Sequence, residues 1–264
     1  MNSINRVKLF VNDNSKSRDV ENKVKEALLR HNFLIVEDNY DLGIAIGGDG
    51  SFLRMIRESN FNSEIFYVGI NAGTLGFAQD VSVDEIDTFI EHLRNDAINY
   101  ESIGVQDVIV ETEDNKYEFK SLNEIVIRND ELNTIKYDIY VDDVLLENYV
   151  GDGILVSTSF GSTAYNLSYG GSIVYNTFDT LQITSIAPLN NKNYRCLSNS
   201  VIVPSNKKIK IVPKDNNIVI QVDGVNIFYN GVLKIETVIN NTRIKLIRKS
   251  DYNFITKVND KFLK

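Results

Sequence analysis

The hydrophobic period of this chain changes once, near Asn99, and that change limits the folds open to it. Before it, short apolar runs alternate with helical stripes. Val7 to Val11, Phe33 to Val36, Leu42 to Ile46 and Ile65 to Ile70 read as strands. Ser15 to His31 carries Val20, Val24, Ala27 and Leu28 on one helical face, and Ser51 to Glu58 carries Phe52, Met55 and Ile56. Asp84 to Arg94 repeats the pattern with Ile86, Phe89, Ile90 and Leu93, and Ser82 with Glu85 makes a capping box at its start. Strands joined through helices run parallel, so this part is expected to be a helix-covered parallel sheet. Beyond Asn99 the period falls to two, in β-branched segments such as Glu124 to Arg128, Lys136 to Val141, Gly153 to Ser157, Lys208 to Val212, Asn217 to Val222 and Arg243 to Ile247. One helix start, Ser162 to Ser168, interrupts them. The expected class is α/β plus β. An N-terminal α/β parallel-sheet domain spans 1–99 and a C-terminal β-rich, β-sandwich-like domain spans 100–247. Residues 248–264 are expected to pack back on the first domain.

Composition narrows the function classes. The chain of 264 residues carries a formal net charge of -8, the wrong sign for general nucleic-acid binding, which needs a basic footprint. Any phosphate ligand must be held locally, by helix starts, a few cations or a metal-bound counter-charge. No run of about eighteen apolar residues exists to span a membrane. The first residues lack a basic-then-apolar signal pattern. A single cysteine, Cys196, excludes an internal disulfide, and a cytoplasmic location is expected.

Four segments carry residue types suited to chemistry. Gly47-Gly48-Asp49-Gly50-Ser51 follows an apolar strand and precedes a helix. Glycine there lets a ligand approach the backbone, the helix start suits phosphate, and Asp49 stands beside it. Asn71 to Phe77 is a second glycine-rich loop after a strand, at the strand end where open α/β sheets bind ligands. Asn123-Glu124 pairs an amide with a carboxylate, able to bracket a diol or an amine, although such a pair at a strand edge is ordinarily solvated. Gly151-Asp152-Gly153 leads into Ser157 to Tyr165, five of whose nine residues are Ser or Thr, with Gly170-Gly171 behind it. Those hydroxyls suit either helix capping or ligand oxygens. His31 and His92 read as surface residues and Cys196 as inert. No zinc spacing and no Gly-x-Ser-x-Gly elbow occurs. Arg243, Lys245, Arg248 and Lys249 form a basic group that reads either as a phosphate neutraliser or as a solvated strand face.

In this order, the four segments resemble the NAD kinase family, with its Gly-Gly-Asp-Gly-Thr turn, Asn-x-Gly-x-Leu-Gly-Phe loop, Asn-Glu pair and Ser-Thr-Pro-x-Gly-Ser-Thr-Ala-Tyr segment; the compact Gram-positive members look closest. The resemblance implies an α/β domain and a β-rich domain with NAD bound between them. It implies Mg²⁺-dependent phosphoryl transfer, from ATP or another triphosphate or polyphosphate, to the adenosine 2′-hydroxyl, giving NADP. It makes Asp49 the general base and, with Gly50 and Phe77, part of the substrate site. Asn123 and Glu124 would bind ribose or adenine groups and Asp152 the nicotinamide end. Thr163, Ala164, Tyr165 and Ser168 would line the adenine side, with Ala187 in the pocket wall. It implies a homo-oligomer, dimer or tetramer, with divalent cation and ATP as cofactors.

The chain departs from that pattern at several positions. Ser51 replaces threonine and keeps the hydroxyl. Ala72 and Thr74 stand where Thr and His are common. Ser159 and Phe160 replace Pro and a small polar residue, which predicts a looser loop and a narrower pocket. Val150 replaces an arginine, so one cationic contact is missing or supplied elsewhere, and Asn190-Asn191 replaces a Pro-His-containing run. Two rivals share features. Lipid kinases and phosphofructokinases carry the Gly-Gly-Asp-Gly turn but do not account for Asn123-Glu124 or Gly161 to Tyr165. A dinucleotide sensor of the same fold would have no need of Asp49.

Overall fold

Leu42–Gly47 is buried at every position, as a strand covered on both faces of a parallel sheet must be. In the computed structural model, which describes residues 4–73, 76–129, 131, 133–214 and 217–264, this strand lies in the first of two units. That unit runs to Ile103 and regains the chain at Arg243–Lys264; the second is Gly104–Thr242.

The first unit contains β1 (Arg6–Val11), α1 (Ser15–Arg30), β2 (Leu34–Ile35), β3 (Leu42–Gly47), α2 (Asp49–Glu58), β4 (Phe66–Asn71), β5 (Gln79–Val81) and α3 (Ile86–Arg94). The sheet order is β2-β1-β3-β4, all parallel, with β5 on the far side of β4. Asn14 caps α1 by accepting from the Ser17 amide at 2.8 Å. The expected stripe, Val20, Val24, Ala27 and Leu28, is buried and shares one core with Ile86, Phe89, Ile90 and Leu93 of α3 and with the strands. Each such side chain contributes roughly 1.5–3 kcal/mol when fully buried. The Ser82–Glu85 capping box forms, but it opens a single 3₁₀ turn, Val83–Glu85, ahead of α3 rather than the first α-helical turn.

The second unit is built from antiparallel strands. β6 (Asn99–Thr112) enters it and pairs with β7 (Lys116–Ser121). There follow β8 (Glu124–Asn129), β9 (Ile135–Val141), β10 (Val144–Gly151), β11 (Gly153–Thr158), α4 (Tyr165–Ser168), β12 (Thr180–Ile186), β13 (Val201–Pro204), β14 (Ile209–Pro213), β15 (Asn217–Val222), β16 (Val225–Asn230) and β17 (Val232–Arg248). One sheet orders β13-β12-β11-β8-β15-β16, and the other runs β10-β9-β14-β17. Ile127, Ile154, Ile183 and Ile220 from the first share one core with Tyr137, Ile139, Ile211 and Ile235 from the second. Two sheets closing on a common apolar layer make a β-sandwich.

The expected Ser162–Ser168 helix is a 3₁₀ turn, Phe160–Thr163, followed by the one-turn α4. The Arg243–Ile247 strand is the tail of the seventeen-residue β17. The last helix, α5 (Phe254–Phe262), belongs to the first unit. Among the described residues no helix is long and apolar enough to cross a membrane.

Candidate active site

Asp49 is the first residue of α2, not part of a turn before it. Gly48 is the N-cap, and its carbonyl accepts from the Ser51 and Phe52 amides at 2.9 and 3.3 Å. A carboxylate in the first turn is favoured by the helix dipole. Gly48 and Gly50 are exposed, and a Cβ on either would meet nothing within 4 Å, so the ground beside Asp49 is open.

The second glycine loop holds that carboxylate. The Phe77 amide donates to Asp49 Oδ2 at 3.1 Å and the Ala78 amide to Oδ1 at 2.9 Å. Gly76 lies so near that any Cβ there would run into Asp49 Oδ1 and Gln79 Oε1. Each carboxylate oxygen keeps a further lone-pair direction, so two amides hold the group without saturating it. Phe77 contributes its amide here, while its buried ring packs against Phe254 and Phe262 of α5, with centroids 6.3 and 5.4 Å away. Thr74, one of the departures from the family pattern, and Leu75 lie outside the described residues.

In the second unit Asn123 and Glu124 are buried at 9% and 6% exposure; the solvated reading of this pair is overturned. The reason is Asp223, in the turn between β15 and β16. Its carboxylate accepts from Ser121 Oγ and from the amides of Leu122, Asn123 and Glu124 at 2.8 to 3.3 Å. The carbonyl side of Asn123 is tied as well. Thr158 donates its amide to Asn123 O at 2.8 Å and its hydroxyl to Leu122 O at 2.6 Å. The Glu124 carboxyl accepts the Tyr165 amide, and burial with the neighbouring Asp223 charge pushes it up to about 8. Glu124 Oε2 is buried with no partner. A carboxyl pushed up to about 8 with one oxygen buried and unpartnered is equipped to donate from that oxygen to a ligand acceptor.

The hydroxyl-rich segment divides its labour. Gly161 lies against the Asn123 backbone, where an added Cβ would overlap the carbonyl. Ser162 is fully buried and exchanges hydrogen bonds with Val174, Oγ to O at 3.2 Å and N to Oγ at 3.0 Å. Ser159 overturns the expected looseness. It is buried, bonds the Phe178 carbonyl and Thr180 Oγ1, and accepts from the Thr180 amide. Thr163, Ala164 and Tyr165 are half-exposed and Ser168 is exposed. Their side chains reach solvent, whereas Ser157, Ser159 and Ser162 are consumed by structure.

Arg128, which sequence reasoning passed over, bonds the hydroxyls of Tyr165 and Tyr169 at 3.1 and 2.5 Å. The two hydroxyls lie 2.9 Å apart. The Tyr169 bond, with Arg128 behind it, holds the Tyr165 phenol below its usual range. Alternation along β8 offered the signal, since it puts Arg128 on the strand face opposite Ile125 and Ile127.

Asp152 and Ala187 meet at the β11–β12 end, where Gly153 pairs with Ile186 and the Asp152 amide donates to Ile186 O at 3.0 Å. Both are exposed. Ala187 has φ of 47°, a conformation that costs a non-glycine residue and that clusters at functional sites. Val150, in the arginine's place, is buried and donates its amide to Cys196 Sγ at 3.2 Å.

The basic group is committed elsewhere. Arg248 bonds Asp80 and Glu101, and Lys249 bonds Glu85. Arg243 bonds Ser102, and Lys245 lies over the Phe66 ring. Neither the phosphate neutraliser nor the plainly solvated face describes these four. Among the described residues no group of three or more His, Cys, Asp or Glu side chains is arranged to hold a metal ion.

Two domain models of one family cover this chain: the ATP-NAD kinase N-terminal domain over residues 3–98 and its C-terminal domain over 122–245. The chain is 37% identical over 268 residues to the NAD kinase of Finegoldia magna, covering 97% of each. It is 36% identical to that of Streptococcus agalactiae, over 98% of this chain and 95% of the relative. Among solved structures, yeast NADH kinase complexed with NADH superposes with a TM-score of 0.84 at 19% identity, covering 98% of this chain and 88% of that one. An NAD kinase from Archaeoglobus fulgidus in complex with ATP gives 0.77 at 21%, covering 96% and 98%. The two structures share the fold; the family models and the near-full-length relatives carry the assignment, and the chain belongs to the NAD kinase family.

Proposed function

We propose that this chain is an ATP-dependent NAD kinase that phosphorylates the adenosine 2′-hydroxyl of NAD, with Asp49 as the general base. The single observation that carries the role of Asp49 is its carboxylate, gripped by the Phe77 and Ala78 amides beside two glycines with open space around them. Phosphoryl transfer passes through a loose transition state, so positioning and charge do most of the work. The ribose oxygen forms the new bond to the γ-phosphorus, the bridging P–O bond breaks, ADP leaves, and the hydroxyl proton passes to Asp49. The free amides at the start of α2 suit a phosphate. Asn123, Glu124, Thr163, Ala164, Tyr165, Asp152 and Ala187 supply the polar atoms that orient NAD in this reading. Gly50 gives it room, and Ser168 stands at the adenine end.

A divalent cation, Mg²⁺ by preference, arrives as the counter-ion of the ATP phosphates. The reading includes a homo-oligomer, dimer or tetramer. It also includes a cytoplasmic location, which a lone, buried free thiol suits.

The test is NADP formation from NAD with ATP and Mg²⁺, followed through a coupled dehydrogenase, with NADH and polyphosphate in parallel. Asp49→Asn should lower kcat at least about a hundredfold, the lower bound for a general base, with NAD binding retained. No NADP from any donor would reduce the protein to a binder of dinucleotides.

A further inference from the structure

The C-terminal helix reaches the same loop that grips Asp49. We infer that Lys257, on α5, is a positioning residue for Asp49, holding through the Gln79 carbonyl and Asp80 the segment whose amides bind the carboxylate. The inference rests on the reading of Asp49 as the base.

Lys257 is 8% exposed. Its ammonium donates to Gln79 O at 2.7 Å and to Asp80 Oδ1. Arg248 donates to the other Asp80 oxygen at 2.6 Å and, at 3.4 Å, to Phe77 O. The segment 77–80 is thus gripped on both sides. Amides 77 and 78 face Asp49, while carbonyls 77 and 79 and the Asp80 carboxylate face the two cations. The Phe77 ring, set between Phe254 and Phe262, adds apolar contact to the same helix.

Charge counting separates this arrangement from a stability device. Asp80, Glu101, Arg248 and Lys257 sum to zero, with side-chain exposures of 3, 18, 2 and 8%. Buried ion pairs of this kind contribute little net stability, because desolvation offsets attraction, and apolar replacements of matched shape are often as stable. What the cluster does supply is fixed geometry at the backbone behind the base. Geometry of that sort matters to rate, since a misplacement of about 1 Å at a reacting group can cost on the order of a hundredfold.

The full-length protein is compared with Lys257→Met, with Asp80→Asn/Lys257→Met, and with Asp49→Asn. Lys257→Met leaves one buried negative charge in excess. The double variant leaves Arg248 paired with Glu101, so it keeps charge balance and guards against a simple folding failure. Both Lys257 variants should lose about tenfold or more in kcat, with KM for NAD and ATP within about threefold. Hydrogen exchange in a peptide covering 76–81 should quicken. A folded double variant with wild-type kcat, or a loss confined to KM, overturns the inference while Asp49→Asn remains inactive. An active Asp49→Asn would instead sink the role of the base, a separate failure.

Discussion

The Glu124 amide donates to Asp223 Oδ1 at 3.3 Å, and the Asp223 amide donates back to the Glu124 carbonyl at 3.1 Å. This reciprocal pair buries two carboxyl groups together, and burial with the Asp223 charge raises Glu124 to about 8; burial raises Asp223 as well. A carboxyl whose folded pKa is raised favours folding while protonated. Its contribution is complete below the unfolded value, near 4.5, and is lost as pH rises through the folded value, near 8. Each pH unit in that window costs at most about 1.4 kcal/mol. Glu124→Gln removes the titration, so its stability relative to wild type should climb from pH 5 to pH 8 and then level off. Urea midpoints at pH 5, 7 and 9 measure this; a pH-independent difference would show that Glu124 ionises normally.

Asp223→Ala should be more damaging than its distance along the chain suggests. It removes the acceptor for Ser121 Oγ and for three consecutive amides, and buried donors left unpaired cost about 1–3 kcal/mol each when water does not replace the partner. Partial hydration brings the expected total to roughly 2–4 kcal/mol. Because two of the three orphaned amides belong to Asn123 and Glu124, the KM for NAD should rise about tenfold at a temperature where the variant is still folded. Thermal unfolding and steady-state kinetics together check it. A folded variant with normal KM would separate Asp223 from ligand binding.

Gly76→Ala tests the carboxylate grip from the other side. The new methyl group would overlap Asp49 Oδ1 and Gln79 Oε1, so the side chains, or the loop behind them, must move. Gln79 is buried at 1% exposure and has little room. The expected result is a fall in kcat of at least about tenfold with a native circular dichroism spectrum, since a small displacement of a positioned group is costly to rate. An unchanged kcat would mean that the amide contacts at residues 77 and 78 do not set the base.

The α/β-then-β order was legible because period and turn chemistry are local. The stripe of α1 and the alternation of β15 needed no tertiary information. What stayed hidden depended on partners far along the chain. Asp223-Gly224 reads as an ordinary hairpin turn, yet its carboxylate serves amides about a hundred residues earlier. Arg248 looked like a strand-end cation, but β17 carries it to Asp80, 168 residues away. The Asn123-Glu124 pair looked solvated because nothing local buries it. Ser159 looked like a loosened loop because Thr180 and the Phe178 carbonyl, which tie it down, lie about twenty residues on. Gly48 and Gly50 discourage a helix, which sets the local start of α2 at Ser51; the Gly48 carbonyl bonds override that preference.

Arg128 gives the last prediction. Its aliphatic stem crosses Gly153, where a Cβ would come within 2.8 Å of Arg128 Cγ, and its guanidinium reaches both phenols. The guanidinium carbon also lies 5.7 and 5.5 Å from the centroids of the Tyr165 and Tyr169 rings. Both hydrogen bonds leave one nitrogen, Nη2, so what sets the guanidinium apart from an ammonium here is its planar face toward the rings rather than its number of donors. Arg128→Met and Arg128→Lys should differ, since only the lysine keeps a charge beside the phenols. Arg128→Met frees Tyr165 to turn and removes the cation that favours its phenolate, so the Tyr165 phenol should titrate at higher pH than in wild type, and Arg128→Lys, which keeps the charge, should shift it less, read as tyrosinate absorbance near 295 nm. The KM for NAD should rise severalfold with kcat nearly unchanged, because the contact lies among residues that orient substrate rather than at the reacting oxygen. If Arg128→Lys kept wild-type KM and titration, charge alone would suffice and the planar geometry would be incidental. If neither variant moved KM, Tyr165 would not be part of the NAD site.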